Sequence, residues 1–209
     1  MSVLHRIACL QNRRDEVPNQ ELARDLAARN DRAGIHEIAE NLWNKDPAVQ
    51  SDCLKVLYEI GGLEPGLISD YVGDFLKLLA SRQNRLVWGS MIGLSTVAAV
   101  KADELFPHSE EIERAMEAGS VIAVDNGVKT LALVAAQRPA YAEALFPYLL
   151  DHLACCRPKE VPQHAEKTLV AVRAANKAQF IRVLEQRMRD LSPAQAARLR
   201  KVLRKAEGR

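Results

Sequence analysis

Along residues 46–61, apolar and polar positions recur with the period of an α-helix, not that of a strand. Val49, Cys53, Leu57 and Ile60 fall on one stripe. Asp46 is placed to accept from the free amides of a first turn, and Pro47 suits the first helical position. Gly61-Gly62 predicts a stop, because glycine tolerates the left-handed conformation at a helix C-terminus. The pattern then recurs. Leu57 is matched by Leu94, Leu131 and Leu169, at steps of 37, 37 and 38 residues. Ile60 is matched by Val97, Val134 and Val172 at the same steps. One turn before each leucine stands a small residue: Cys53, Ser90, Gly127 and Ala165. A small residue beside a large one is what close helix stacking requires.

A second apolar helix precedes each copy. These partners carry Ile35/Ile38/Leu42, Val72/Phe75/Leu79, Ile112/Met116 and Leu149/Leu150/Leu153. Leu105-Phe106-Pro107 and Leu145-Phe146-Pro147 are predicted to open two of them in the same way. The unit is a helical hairpin that cannot bury its apolar face alone and so stacks on its neighbours. Five hairpins are predicted, over about 32–61, 65–100, 103–137, 139–174 and 176–206. Ahead of them, residues 1–12 predict a short helix and 13–18 a loose turn ending at Pro18. Residues 19–30 predict a helix capped by Asn19.

Asp-Pro-x-Val, a small residue one turn on, then Leu-x-x-Ile-Gly resembles the second helix of a HEAT repeat. Residues 46–61 carry the motif best, and the resemblance spans roughly 33–175. The later copies lose Asp-Pro, and Trp88 and Asp125 stand where the family has unremarkable residues. The resemblance implies an all-α, α-α superhelix of the HEAT/ARM-like solenoid type, right-handed, in one continuous domain. Residues 1–31 would cap it with N-terminal helices, 32–175 would form the repeats, and 176–209 a basic C-terminal capping hairpin. It is specific for fold and not for activity.

Composition agrees with close-packed helices: aromatic residues are only 5% of the chain, and no run alternates with period two. The net charge is +2, so no global electrostatic attraction to nucleic acid or membrane follows. Four cysteines, Cys9, Cys53, Cys155 and Cys156, do not suggest a secreted disulfide framework in 209 residues. The N-terminus has no apolar signal-peptide core, and no stretch of about 18 apolar residues suggests a membrane span, so a cytoplasmic location is expected. Charge is uneven. Residues 177–209 hold ten Lys/Arg and three Asp/Glu, whereas 46–176 hold twelve and seventeen. The last helix, with Arg198, Arg200, Lys201, Arg204 and Lys205, reads as a solvated cap or as a nucleic-acid-facing patch.

In a stacked array, equivalent positions of the second helices line one surface. The residues expected on this concave ladder are Asn84, Arg85, Trp88, Asp125, Asn126, Lys129, His164 and Lys167. A Trp beside a Gly, with charges one repeat away, furnishes a recognition groove, although Trp88 would also suit packing between repeats. Gly89 and Gly93, four apart, imply that a helix or ligand comes close. Trp43, beside Leu42, reads as core. Serine and histidine residues have no visible catalytic partners, and no phosphate loop or metalloprotease motif occurs. His152, Cys155, Cys156 and His164 outline a metal cluster, but paired Cys-x-x-Cys or His-x-x-x-His spacing is missing. Buried thiols are the plainer reading, and no metal or cofactor is expected.

The function expected is therefore a non-enzymatic scaffold that binds a protein or peptide partner through the concave face. Two alternatives stand beside it. The alkylpurine DNA glycosylases are HEAT-like solenoids of similar size, and that resemblance would give Trp88, Asp125, Lys129 and Lys167 roles on damaged DNA. That family pairs its tryptophan with an acid one turn later, where this chain has Ile92. The other alternative is a HEAT-like accessory module for cofactor or pigment attachment.

Overall fold

The computed structural model describes residues 2–209 and contains, among them, helices and turns but no strand. Twelve α-helices follow one another: α1 (Val17–Ala28), α2 (Arg32–Glu40), α3 (Pro47–Leu63), α4 (Val72–Leu78), α5 (Asn84–Val97), α6 (Ala102–Leu105), α7 (Ser109–Glu117), α8 (Val121–Gln137), α9 (Pro139–Cys155), α10 (Val161–Thr168), α11 (Lys177–Arg187) and α12 (Pro193–Glu207). Short 3-10 turns join several of them. The chain forms two compact units: Met1–Lys101 with Glu110–Gly127, and Ala102–Ser109 with Val128–Arg209.

The first unit is built around α3, which packs against α1 and α5. Asp46 caps α3 by accepting from the Ala48 amide at 2.8 Å, with Pro47 in the first turn, as the sequence predicts. Val49, Cys53, Leu57 and Ile60 are all buried. So are the matched residues Ser90, Leu94 and Val97 on α5, and the partner residues Ile35, Ile38, Leu42, Val72, Phe75 and Leu79. The repeat register is thus the core register.

Four expectations for this unit need correction. Gly61-Gly62 does not end α3, which runs on to Leu63. No described glycine has a positive φ. Gly61 is needed for space: a Cβ there would lie 2.2 Å from Thr96 Oγ1 and 2.5 Å from Ile68 Cδ1. Gly61→Ala is expected to destabilise the protein by about 1–3 kcal/mol through overpacking, read as a lower urea midpoint. An unchanged midpoint would show that Thr96 and Ile68 move aside freely. Asn19 does not cap α1. The helix starts at Val17, and Asn19 is buried, accepting from the Ala8 amide at 2.8 Å. Trp43 is not core. It is 51% exposed on a 3-10 turn, where its indole N–H donates to Asp74 at 3.1 Å and Leu42 takes the buried place. Residues 4–11 make two 3-10 turns where the sequence suggests one short helix.

In the second unit, α9 packs on α10 and α11, and α12 packs on α10 and α11. The segment 102–109 joins this unit through Asp103, which accepts from Arg138 Nε at 2.7 Å and from the Tyr141 hydroxyl at 2.8 Å. Phe106 stacks on Tyr141 with ring centroids 4.0 Å apart. The two Leu-Phe-Pro segments differ. Phe106-Pro107 lies in a 3-10 turn between α6 and α7, whereas Pro147 sits inside the continuous α9. Proline there removes one N–H from the helix ladder, and buried Leu145, Phe146 and Leu149 hold the helix together around it. Ser192 and Gln195 form a complete capping box at the start of α12.

Candidate functional site

The first unit carries a cleft of about 280 Å³ between α3, α5 and the N-terminal segment. Trp88 and Arg85 enter it from α5, and Asp52, Lys55 and Tyr58 from α3. Trp88 is half-buried. Its ring lies 6.5 Å from that of buried Tyr58, tilted by 54°. Gly89 lets the two helices close here: a Cβ would meet Leu54 Cδ2 at 2.6 Å. Gly93 likewise faces the Phe75 ring at 3.2–3.3 Å. Both glycines therefore serve helix packing.

Residues 8–16 form one wall of the cleft, and an ion pair and a backbone hydrogen bond hold them there. Lys55 Nζ lies 2.9 Å from Glu16 and 2.6 Å from Glu59, and 4.9 Å from the Tyr58 ring centroid. Burial would lower the Lys55 pKa, but its hydrogen bonds to Glu59 and Glu16 outweigh that and hold it above its usual value. Asp52 accepts from the Cys9 amide at 2.7 Å. Burial, then the Asp52 carboxylate, pushes the Cys9 thiol up to about 12, so it stays protonated near neutral pH. Arg13, Arg14, Arg85, Asp15 and Glu16 also line it, and Arg13 pairs with Asp15 at 2.8 Å. The cleft is thus aromatic at one side and mixed in charge around it.

Of the expected ladder, Asn84 and Arg85 are exposed in the first turn of α5. Asp125 and Asn126, on α8, are half-buried. Asn126 donates to the Ile122 carbonyl at 2.9 Å and accepts from the Ser95 hydroxyl at 3.3 Å, so it ties α8 to α5. Lys129 and Lys167 belong to the second unit and are half-buried. His164 is corrected: at 1% exposure it presents nothing to a partner and instead faces His152. At the basic end of the chain, Arg198 forms two bonds with Glu166, at 2.5 and 2.7 Å, from α12 to α10. Sequence reasoning missed the wall formed by 8–16 and its pairing with Lys55. The Lys55–Glu59 pair follows from i, i+4 spacing, but Glu16 and Asp52 are brought in by the fold.

The outlined metal cluster is partly gathered. His152, Cys156 and His164 place their ligating atoms within 4.8 Å of one another, while Cys155 is exposed and apart. Burial, then the neighbouring His164, pushes His152 down to about 4. Burial raises the Cys156 thiol, against the opposing charge of Arg187.

No protein-family model and no curated protein matches the chain. Solved structures do. An engineered protein, Northeast Structural Genomics Consortium target OR329, superposes with a TM-score of 0.68 at 17% identity, over 100% of this chain and 98% of that one. A designed armadillo repeat protein in complex with peptide (KR)4 gives 0.67 at 12% identity, over 99% of both chains. Kap121p gives 0.63 at 16% identity, with 95% of this chain covering 22% of it. The fold is therefore an armadillo/HEAT-like α-solenoid, as the repeat pattern implies. No helix among the described residues is long and apolar enough to cross a membrane.

Proposed function

We propose that the chain is a non-enzymatic helical-repeat scaffold that binds an extended protein or peptide segment on the α3–α5 face of its first unit. The observation that carries this reading is half-buried Trp88 set against Tyr58 in an open cleft, with arginines and carboxylates around it. Tryptophan, tyrosine and arginine are the residues most often responsible for binding energy at protein interfaces. The mixed charge fits a segment bearing one large apolar side chain with charged neighbours of both signs, and it disfavours a polyanion. The designed armadillo protein in complex with peptide (KR)4 supports the reading, since a solenoid that superposes over 99% of both chains takes a peptide as its ligand. Asn84 and Arg85 extend the site along α5; Asp125 and Asn126 are its candidates on α8. Lys129 and Lys167 are proposed as contacts of the second unit only.

The test is capture of partners from nuclease-treated lysate by the wild type and by a Trp88→Ala/Arg85→Glu variant. Loss of a central aromatic anchor costs about 2 kcal/mol or more, roughly 30-fold in affinity, so the partner should be lost from the folded variant. The same partner held equally by both proteins would remove the site. Binding that vanishes on nuclease treatment would replace the peptide reading with a nucleic-acid one.

A further inference from the structure

The second unit contains a cluster that peptide binding does not use. His152 stands in the last turn of α9, and Cys156 is the residue that caps it. Their four-residue spacing puts both on one side of the helix end. Residues 157–160 then turn the chain so that His164, on α10, comes back against them. His152 Nε2 lies 2.9 Å from His164 Nδ1. The rings are tilted by 41° with centroids 4.9 Å apart, so they meet through their nitrogens rather than by stacking. His164 is buried, and His152 and Cys156 are half-buried.

We propose that His152, Cys156 and His164 form a binding site for a divalent transition-metal ion, with Zn²⁺ the ion this ligand set selects. Two imidazole nitrogens and one thiolate suit zinc and exclude magnesium and calcium, which take oxygen ligands. Zinc bonds of about 2.0–2.1 Å to nitrogen and about 2.3 Å to sulfur place tetrahedral ligands roughly 3.3–3.7 Å apart. The observed separations, from 2.9 Å to at most 4.8 Å, bracket that range. Small side-chain rotations reach it: the imidazoles part by a few tenths of an ångström, and the thiol swings inward from its weak 3.8 Å contact with the Leu153 carbonyl and from the neighbouring Arg187 guanidinium.

The protons balance simply. The proton shared between the rings moves to the far nitrogen of its own imidazole, and the Cys156 proton leaves to water as the sulfur–metal bond forms. Glu160, whose side chain is only 13% exposed and pairs with Arg157, lies within electrostatic reach of all three ligands. Three protein ligands leave the fourth position to water. The bound ion would tie the end of α9 to α10.

The test uses the full chain, stripped with chelator and titrated with Co²⁺ as an optical probe, then with Zn²⁺ in competition. One equivalent of Co²⁺ should give visible d–d bands and a near-ultraviolet thiolate-to-cobalt band, both displaced by Zn²⁺. Cys156→Ser should abolish the charge-transfer band, and His152→Asn should weaken binding by about tenfold or more. Cys155→Ser should change nothing. Far-ultraviolet circular dichroism of each metal-free variant confirms that it is folded. Absence of the bands at one equivalent in folded wild type would overturn the site. So would a charge-transfer band that survives in Cys156→Ser or disappears in Cys155→Ser.

Discussion

Phe75→Ala is expected to destabilise the first unit by about 3–5 kcal/mol, the range for removing a fully enclosed aromatic side chain. Phe75 is 0% exposed on α4 and lies beneath α5. Its ring fills the space that a side chain at Gly93 would need, three ring carbons standing 3.2–3.3 Å from the site of a Cβ. The two positions are therefore coupled. Gly93→Ala alone should cost about 1–3 kcal/mol by overpacking. In the Phe75→Ala background it should cost less, because the cavity accepts the added methyl. Both tryptophans, Trp43 and Trp88, belong to the first unit, so their fluorescence in urea reports this unit. Strict additivity in the double variant would show that the contact has no energetic weight.

Arg187→Ala is expected to destabilise the second unit by about 2–4 kcal/mol. Arg187 is 8% exposed and spends its guanidinium on the end of α9. Nη1 donates to the Leu153 carbonyl at 2.6 Å, Nη2 to the Cys156 carbonyl at 2.8 Å, and Nε to Asp190 at 3.1 Å. A helix C-terminus leaves carbonyls without partners, and a cation there also meets the negative end of the helix dipole. Alanine removes the charged donor from both carbonyls, the one on Leu153 being buried. Lysine keeps the charge but not the fork, so Arg187→Lys should recover only part of the loss. The readout is the unfolding midpoint by far-ultraviolet circular dichroism. Full recovery by lysine would mean that charge alone matters at this position.

Much of the fold is legible because burial at 37-residue steps writes itself into the pattern. Leu57, Leu94 and Leu131 must face the core, and no other spacing puts them there. What the pattern conceals is why a small residue is small. Gly61-Gly62 resembles a helix stop, yet Gly61 is glycine because Thr96 and Ile68 press on it. Trp43 lies one residue beyond a buried leucine, and a 3-10 turn is enough to rotate it into solvent. The candidate site is half legible. Trp88 and Arg85 follow from the ladder, but the wall formed by residues 8–16 depends on pairings of high sequence separation, Glu16 with Lys55 and Cys9 with Asp52. Periodicity contains no record of those. The members of the histidine–cysteine cluster are visible in the sequence, but the fold decides which of them meet: His164 returns from the next helix to His152 and Cys156, and Cys155 is left out.

The most direct measurement is hydrogen–deuterium exchange with a peptide selected from a random library on the wild-type protein. Added protection is expected over residues 51–58 and 84–92, with binding lost in the folded Trp88→Ala variant. Protection confined to α12, or unchanged affinity in that variant, would contradict a binding face centred on Trp88.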